Sequence, residues 1–331
     1  MPLTTNDKFK HLFRGRFCAV GTEEGGALRR PPHLEHWVEW WSERFDNHIN
    51  GLDPIGVYPM VPSARTESDD VEWVVYWGCI DYDEGEIESL AHARNTQTVL
   101  RVAANIESFV EKSRSKGYHV WVFPNRPVPA LTMRRALLAA AQVVGAPMKE
   151  INPKQVSLPW DEDRKEWKLG NYVRLPYPGA DITEFGNRNV LSDNDVWVSM
   201  GGFIEQAWDS RCTETALDEM GKRFVEPPKR QRRTAPGNID MSKPWKKRLD
   251  GLSHTLLYGS KGRPGGPYED QDRSSWLWKL ANSMIERADL NEDEMLQALM
   301  VGHDTYCPDK FDNRAEAELE RMLNKALDQH E

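Results

Sequence analysis

The run WVVYWGCIDYDEGE, residues 73–86, closes an apolar stretch with two aspartates one residue apart, Asp81 and Asp83. Alternate residues of an extended chain point to one side, so a strand here aims both carboxylates at one spot. Two like charges that close raise each other's proton affinity unless a cation sits between them. A divalent ion that favours oxygen ligands is the chemistry such a pair serves. A solvated acidic turn at a strand end is the plain alternative.

Two further stretches carry groups suited to phosphate. In SRSKGYHVWVF, residues 113–123, a polar loop presents Arg114, Ser115 and Lys116 beside Gly117, and strand-like alternation opens at Tyr118. Cations and backbone N–H groups next to a glycine can meet a phosphate, and His119 at the strand entrance adds a donor. The alternation sets His119, Trp121 and Phe123 on one side, with Val120 and Val122 on the other. An ordinary turn with a histidine tucked under Trp121 fits the same letters. In KEINPKQ, residues 149–155, Glu150 can complete a three-carboxylate cage, while Lys154 and Gln155 can address phosphate or sugar.

The elements that must position these groups follow from periodicity. Strands are expected over 73–81, 118–124 and 171–177. Helices are expected over 97–116, with Val99, Leu100, Val102, Ile106 and Val110 on one face and an end near Lys112, and over 130–144. The charged tip at 161–168 reads as a hairpin-like excursion. After residue 250 the pattern is helical: one helix carries Trp276, Leu277, Leu280, Met284 and Ile285, and a second follows Asn291, with Glu294 completing a capping box. A third starts near Arg314 with Leu319, Met322, Leu323, Ala326 and Leu327, so three short helices make a small bundle.

Between the two regions, residues 222–248 hold ten Lys or Arg against Glu226 and Asp240. The core of that stretch, EPPKRQRRTAPGN, is proline-containing and poor in apolar residues, the composition of a linker. A mobile basic segment suits phosphate backbones; a solvated spacer is the simpler reading. The division expected is a catalytic domain over 1–215, a basic linker over 216–250 and a helical domain over 251–331.

Composition narrows the class. The net charge of −9 argues against a protein that coats nucleic acid over its whole surface, and 39% hydrophobic with 29% charged residues excludes a membrane protein. No apolar run approaches bilayer length, and MPLTTNDKFKHLF lacks the layout of a signal peptide. Cys18, Cys79, Cys212 and Cys307 are too scattered for a zinc pair or a disulfide framework, so no zinc is expected. The expected home is cytoplasmic, in a bacterial cell or a phage-infected host. GSKGRPGG at 259–266 lacks Walker A spacing, so any helicase is a separate chain.

Taken in order, DxD at a strand end, S-R-S-x-G-x-H-x-W-x-F, E-x-x-P-K-Q and G-N-x-x-x-L-P resemble the archaeo-eukaryotic primase superfamily, in its phage and mobile-element primase-polymerase branch. LFRGRFCAVGT, residues 12–22, looks like the segment that opens that branch's catalytic domain, and the resemblance covers roughly residues 10–210. DRSSWLWKLANSMIERADLNEDEMLQAL, residues 272–299, looks like the helical primase C-terminal module. The resemblance implies an α+β fold: a mixed or antiparallel-sheet core, with an RRM-like palm and an accessory αβ module, followed by a small all-α bundle.

It also implies roles. Asp81, Asp83 and Glu150 match the metal-binding acids, and His119 matches the histidine that meets the incoming nucleotide's phosphates. Arg114, Ser115, Lys116 and Gly117 match the triphosphate-contacting loop, with Lys154 and Gln155 nearby. Two departures stand out: Gly117 takes the place where many relatives carry serine, and the loop is one residue tighter. The activity implied is template-directed nucleotidyl transfer, a DNA primase or primase-polymerase making primers on single-stranded DNA from NTPs or dNTPs, with Mg²⁺ or Mn²⁺ in a two-metal site and a separate replicative helicase as partner. A primer-extending repair polymerase without priming activity, a DxD glycosyltransferase and a carboxylate-cage nuclease are the alternatives.

Overall fold

The computed structural model describes residues 2–31, 37–64, 67, 71–114, 116–180, 188–226, 244–260, 264–267, 272–288, 290–311 and 314–330. The chain divides into two compact units, Met1–Pro227 and Pro228–Glu331.

The first unit runs α1 (Thr5–Leu12), β1 (Ala19–Thr22), β2 (Ala27–Arg29), α2 (Trp37–Ile49), β3 (Ile55–Val57), β4 (Val61–Pro62), β5 (Trp73–Val75) and β6 (Gly78–Tyr82). It continues through α3 (Glu86–Ala104), β7 (Ser108–Lys112), β8 (Tyr118–Val122), β9 (Val128–Pro129), α4 (Ala130–Val144) and β10 (Ile151–Asn152). The hairpin β11 (Trp160–Asp161) and β12 (Glu166–Trp167) precedes β13 (Val173–Arg174), β14 (Val190–Leu191), α5 (Met200–Asp209) and α6 (Glu214–Gly221).

Five strands form the central antiparallel sheet in the order β10-β6-β8-β7-β14. β6, α3 and β7 make a split β-α-β unit, because β8 inserts between β6 and β7 and pairs antiparallel with both. Alternation sends the side chains of this sheet into two cores. Ile80, Tyr82, Val110, Val120 and Val122 meet α3 and α4 on one face. Cys79, Trp121 and Phe123 join Phe9, Phe13, Phe45 and Phe203 of α1, α2 and α5 on the other. A second sheet has the order β13-β3-β1-β2, and a third the order β4-β5-β9.

Several expectations change. The strand expected over 73–81 breaks at Tyr76 and Trp77 into β5 and β6, which belong to different sheets. The strand expected over 171–177 shortens to β13. The helix expected over 97–116 is two elements: α3 starts earlier and ends at Asn105, which takes the left-handed conformation at φ 54°, and Val110 lies in β7. Asparagine tolerates that conformation and so stops a helix. Val102, placed on the apolar face, is 79% exposed. α4 covers 130–144 as expected and closes on Gly145 at φ 73°.

The linker is also shorter than 216–250. α6 packs on α4 with Leu217 and Met220 buried, so residues 216–221 belong to the first unit. At the other end Trp245 is buried in the core of the second unit. Residues 227–243, which carry five of the ten basic residues of the stretch, lie outside the described residues.

The second unit holds a 3₁₀ turn (Pro244–Arg248), α7 (Gly251–Tyr258), α8 (Arg273–Arg287), α9 (Glu292–Tyr306) and α10 (Ala315–His330). Asn291 and Glu294 cap α9 reciprocally, each accepting at 3.0 Å from the other's backbone N–H. α7 is additional to the three expected helices; at eight residues, capped by Asp250, it is too short to display a period. Among the described residues no helix is long and apolar enough to cross a membrane.

Candidate active site

Strand register builds one row of polar groups across the central sheet. Asp81 on β6 lies opposite His119 on β8, and His119 lies opposite Glu111 on β7. On the other flank the Asp81 N–H donates to the Glu150 carbonyl at 2.9 Å, which seats Glu150 beside the pair. Asp83 follows where β6 ends at Tyr82. Asp81, Asp83, Glu111, His119 and Glu150 all line one cavity of about 460 Å³, a volume in the range of ligand pockets.

The row is electrostatically tight. Glu111 is wholly buried, and its Oε2 accepts from His119 Nδ1 at 3.0 Å and from Trp121 Nε1. Its Oε1 has no hydrogen-bond partner among the described residues. His119 Nε2 stands 3.6 Å from Asp81 Oδ1, an ion-pair contact. Burial alone would lower the His119 pKa, but Glu111 and then Asp81 reverse this and push it up to about 10. Burial would raise the Asp81 pKa, yet His119, with Lys154 and Arg174, holds it below the usual carboxylate value.

Cations line the same cavity. Arg114, Lys154, Arg174 and Arg188 line the cavity. Arg188 is buried in the left-handed conformation at φ 61°, with its guanidinium donating to the Leu175 carbonyl. Glu23, at the tip of the β1–β2 hairpin, gathers three of these arginines: Oε1 is 3.0 Å from Arg114, and Oε2 is 2.8 Å from Arg188 and 3.9 Å from Arg174. Burial would raise the Glu23 pKa, but Arg188, Arg114 and Arg174 together keep it low.

Of the residues named from sequence, Asp81, Asp83, His119, Glu150, Arg114 and Lys154 come together in this cavity. Lys116 and Gln155 are exposed and stand outside its lining, as does Gly117. Ser115 lies outside the described residues. Gly117 has a packing reason for its identity: a Cβ there would stand 2.4 Å from the Tyr82 carbonyl oxygen, so the loop runs directly against the end of the Asp81 strand. Glu111 and Arg188 were missed. For Glu111 a signal existed, since Phe109 and Glu111 alternate with Ser108 and Val110 as in a strand; nothing in the letters around Arg188 marks it.

Among the described residues no three His, Cys, Asp or Glu side chains are gathered as a formed metal cluster. Glu150 is instead paired with Lys154, and Asp81 with His119. The donor set nevertheless suits a hard divalent ion: three carboxylates open on one cavity, and two of them are balanced by cationic side chains where a metal would supply the charge.

Comparison with known proteins bears on what such a site belongs to. No curated protein matches the chain. Among solved structures, the polymerase domain of Mycobacterium tuberculosis Ligase D in complex with DNA aligns at 14% identity and a TM-score of 0.29, over 66% of this chain and 88% of that one. Primase RepB' aligns at 15% identity and a TM-score of 0.27, over 98% of this chain and 94% of that one. The model of the archaeo-eukaryotic primase domain of TOTE conflict systems matches residues 32–199, about half of the chain, and spans the row from Asp81 to Glu150; the chain belongs to this primase family.

Proposed function

We propose that the first unit is a template-directed nucleotidyltransferase that makes primers on single-stranded DNA, in phage or mobile-element replication or in a conflict system of the kind its family is named for. The observation that carries the reading is the composition of one cavity, which Asp81, Asp83 and Glu150 line together with Arg114, Arg174 and Arg188. In the reaction a 3′-hydroxyl oxygen bonds to the α-phosphorus of a nucleoside triphosphate, the bond from that phosphorus to the bridging oxygen breaks, and pyrophosphate leaves. Asp81, Asp83 and Glu150 would hold Mg²⁺ or Mn²⁺, and the bound ions would make the hydroxyl a better nucleophile and neutralise the leaving group.

The chain's own groups do the rest. Arg114, Arg174 and Arg188, with Lys154, offer positive charge to the β- and γ-phosphates as the leaving group gains charge. His119 donates toward a phosphate oxygen, and Glu111 at Nδ1 fixes which way the ring faces. Substrates are NTPs or dNTPs with a single-stranded template, and unwinding falls to a separate helicase.

The test is a double variant, Asp81→Ala with Asp83→Ala, supplied with labelled nucleotides, Mg²⁺ or Mn²⁺, and either an unprimed strand or a primed template. Loss of nucleotide addition with an unchanged thermal midpoint is the expected result. Near wild-type extension by the double variant sinks the assignment of the acids. With the wild-type protein, synthesis on the unprimed strand identifies a primase, whereas extension of the primed template alone identifies the repair-polymerase alternative.

A further inference from the structure

The LFRGR segment has a second consequence, away from the carboxylates. Its two arginines diverge: Arg16 is buried, donating to the Trp167 carbonyl at 2.6 Å, whereas Arg14 turns to a shallow surface depression lined also by His11, Tyr76, Asn125, Arg126, Trp208 and Arg211. The Arg14 guanidinium lies 3.9 Å from the ring centroid of Tyr76, and that of Arg211 lies 3.7 Å from the ring centroid of Trp208. Neither arginine makes an ion pair among the described residues. The other cations of the patch are answered, Lys8 by Glu205 and Arg126 by Glu214 at 2.8 Å. Asp209 is the acid that faces Arg211. His11 reports the local excess: burial, and after it the charge of Arg14, push its pKa below the ordinary value, with Asp7 opposing and Arg211 adding to the effect.

Two guanidiniums held over aromatic rings, and in no ion pair among the described residues, stand out on a chain whose net charge is −9. Burial pushes both pKa values down, Arg211 Nε donates to the Trp208 carbonyl at 2.8 Å and Arg14 Nη1 lies 3.5 Å from His11 Nδ1, so the remaining Nη groups are what a ligand would meet. That is the chemistry which grips a phosphodiester backbone and lets bases stack on what the rings leave open. The position matches the use. Tyr76 precedes Asp81 by five residues, at most about 18 Å of extended chain, which about five phosphates of a strand at ~3.4 Å axial spacing can cover. Trp77, next to Tyr76, donates through Nε1 to the Arg14 carbonyl at 3.1 Å and packs edge-to-face on Trp121, so the patch and the catalytic row share one rigid core.

We infer that Arg14 and Arg211, stacked on Tyr76 and Trp208, form a docking surface for the backbone of single-stranded DNA. The inference rests on the nucleotidyltransferase reading only for the identity of the strand as template.

The experiment measures binding of a fluorescein-labelled oligodeoxythymidylate to the full chain, in EDTA and without nucleotide, across a salt series. Arg14→Gln with Arg211→Gln keeps the side-chain stems; it is expected to weaken binding about tenfold at low salt and to flatten the slope of log K against log salt by about 1.4, ~0.7 per arginine. Glu214→Gln, which releases Arg126, is expected to strengthen binding. Arg101→Gln, whose partner is Asp193 on α3's own side of the sheet, serves as the charge control and is expected to leave affinity unchanged. Wild-type affinity and slope in the double variant overturn the proposal. So does a loss for polyglutamate with none for the strand, which makes the patch a protein-docking site. Nucleotide addition is assayed separately, so a wild-type chain that binds DNA through these arginines yet adds no nucleotide overturns the catalytic reading alone.

Discussion

Glu111 shares one oxygen between the rings of His119 and Trp121 and leaves the other without a hydrogen-bond partner among the described residues. Truncating it strands a buried imidazole and an indole N–H, and breaking a buried pair on one side costs about 3–5 kcal/mol. Glu111→Ala is therefore expected to lower stability by about 3 kcal/mol in urea melts and to abolish nucleotide addition. Glu111→Gln keeps an acceptor of the same size, so most of the stability should return while activity stays depressed, because the ring is held without the compensating charge. Equal loss of stability in both variants would assign Glu111 to packing alone. Asp81, Asp83 and His119 were legible from letters because strand alternation and a one-residue gap are local facts. Arg188 was not, since it reaches the site from a non-helical, positive-φ position that only the fold defines.

At the scale of elements, His48 ties the last turn of α2 to the sheet that carries β13. Its Nδ1 accepts from the Ile55 N–H at 3.2 Å and its Nε2 donates to the Pro176 carbonyl at 2.8 Å, a pattern only the neutral ring satisfies. Burial pushes its pKa down to about 4. A histidine with a folded value below its unfolded one binds more protons unfolded, so its contribution is whole above pH ~6.5 and is lost as pH falls toward 4. Urea melts should be flat with respect to this group above that pH and lose up to about 3 kcal/mol on acidification to pH 4. His48→Asn should flatten the acid limb; an unchanged limb would place the acid sensitivity elsewhere. Gly117→Ala tests a different join: its Cβ would press on the Tyr82 carbonyl, so a loss of about 1–3 kcal/mol is expected, together with a displaced loop and weaker nucleotide binding. Calorimetry and a nucleotide titration check both. The helix expected over 97–116, which holds only as far as Ala104, shows why elements were harder to read than residues. Apolar spacing through Val99, Leu100, Ile106 and Val110 fits a helix and a helix-turn-strand equally, and Asn105 decides between them through a backbone conformation that its letter permits without announcing.

For the molecule as a whole, the core of the helical unit shares no member with the two cores of the first, which implies two folding units. A chain cut near Pro236 should keep the melting transition of the first unit. Beginning a primer means holding two nucleotides with no duplex to stack on, a step that gains most from an added positioning surface on a tether. Removal of the helical unit is accordingly expected to spare extension of a ready-made primer and to depress unprimed synthesis at least tenfold, a factor worth about 1.4 kcal/mol of barrier. If the truncated protein starts primers as well as the full chain, the helices serve partner docking or stability instead.

The indole of Trp121 lies edge-on to His119 with ring centroids 5.7 Å apart, and its N–H ends on the same carboxylate oxygen. An imidazolium at that range quenches an indole, so Trp121 is expected to emit weakly while His119 holds its proton. A ligand that draws His119 toward a phosphate, or a metal that replaces its charge on Asp81, is expected to brighten the ring. The expected outcome is a rise in tryptophan emission as nucleotide or Mn²⁺ is titrated, a rise that Trp121→Phe removes while the other twelve of the 13 tryptophans keep their background emission; an unchanged rise in that variant would place the signal elsewhere.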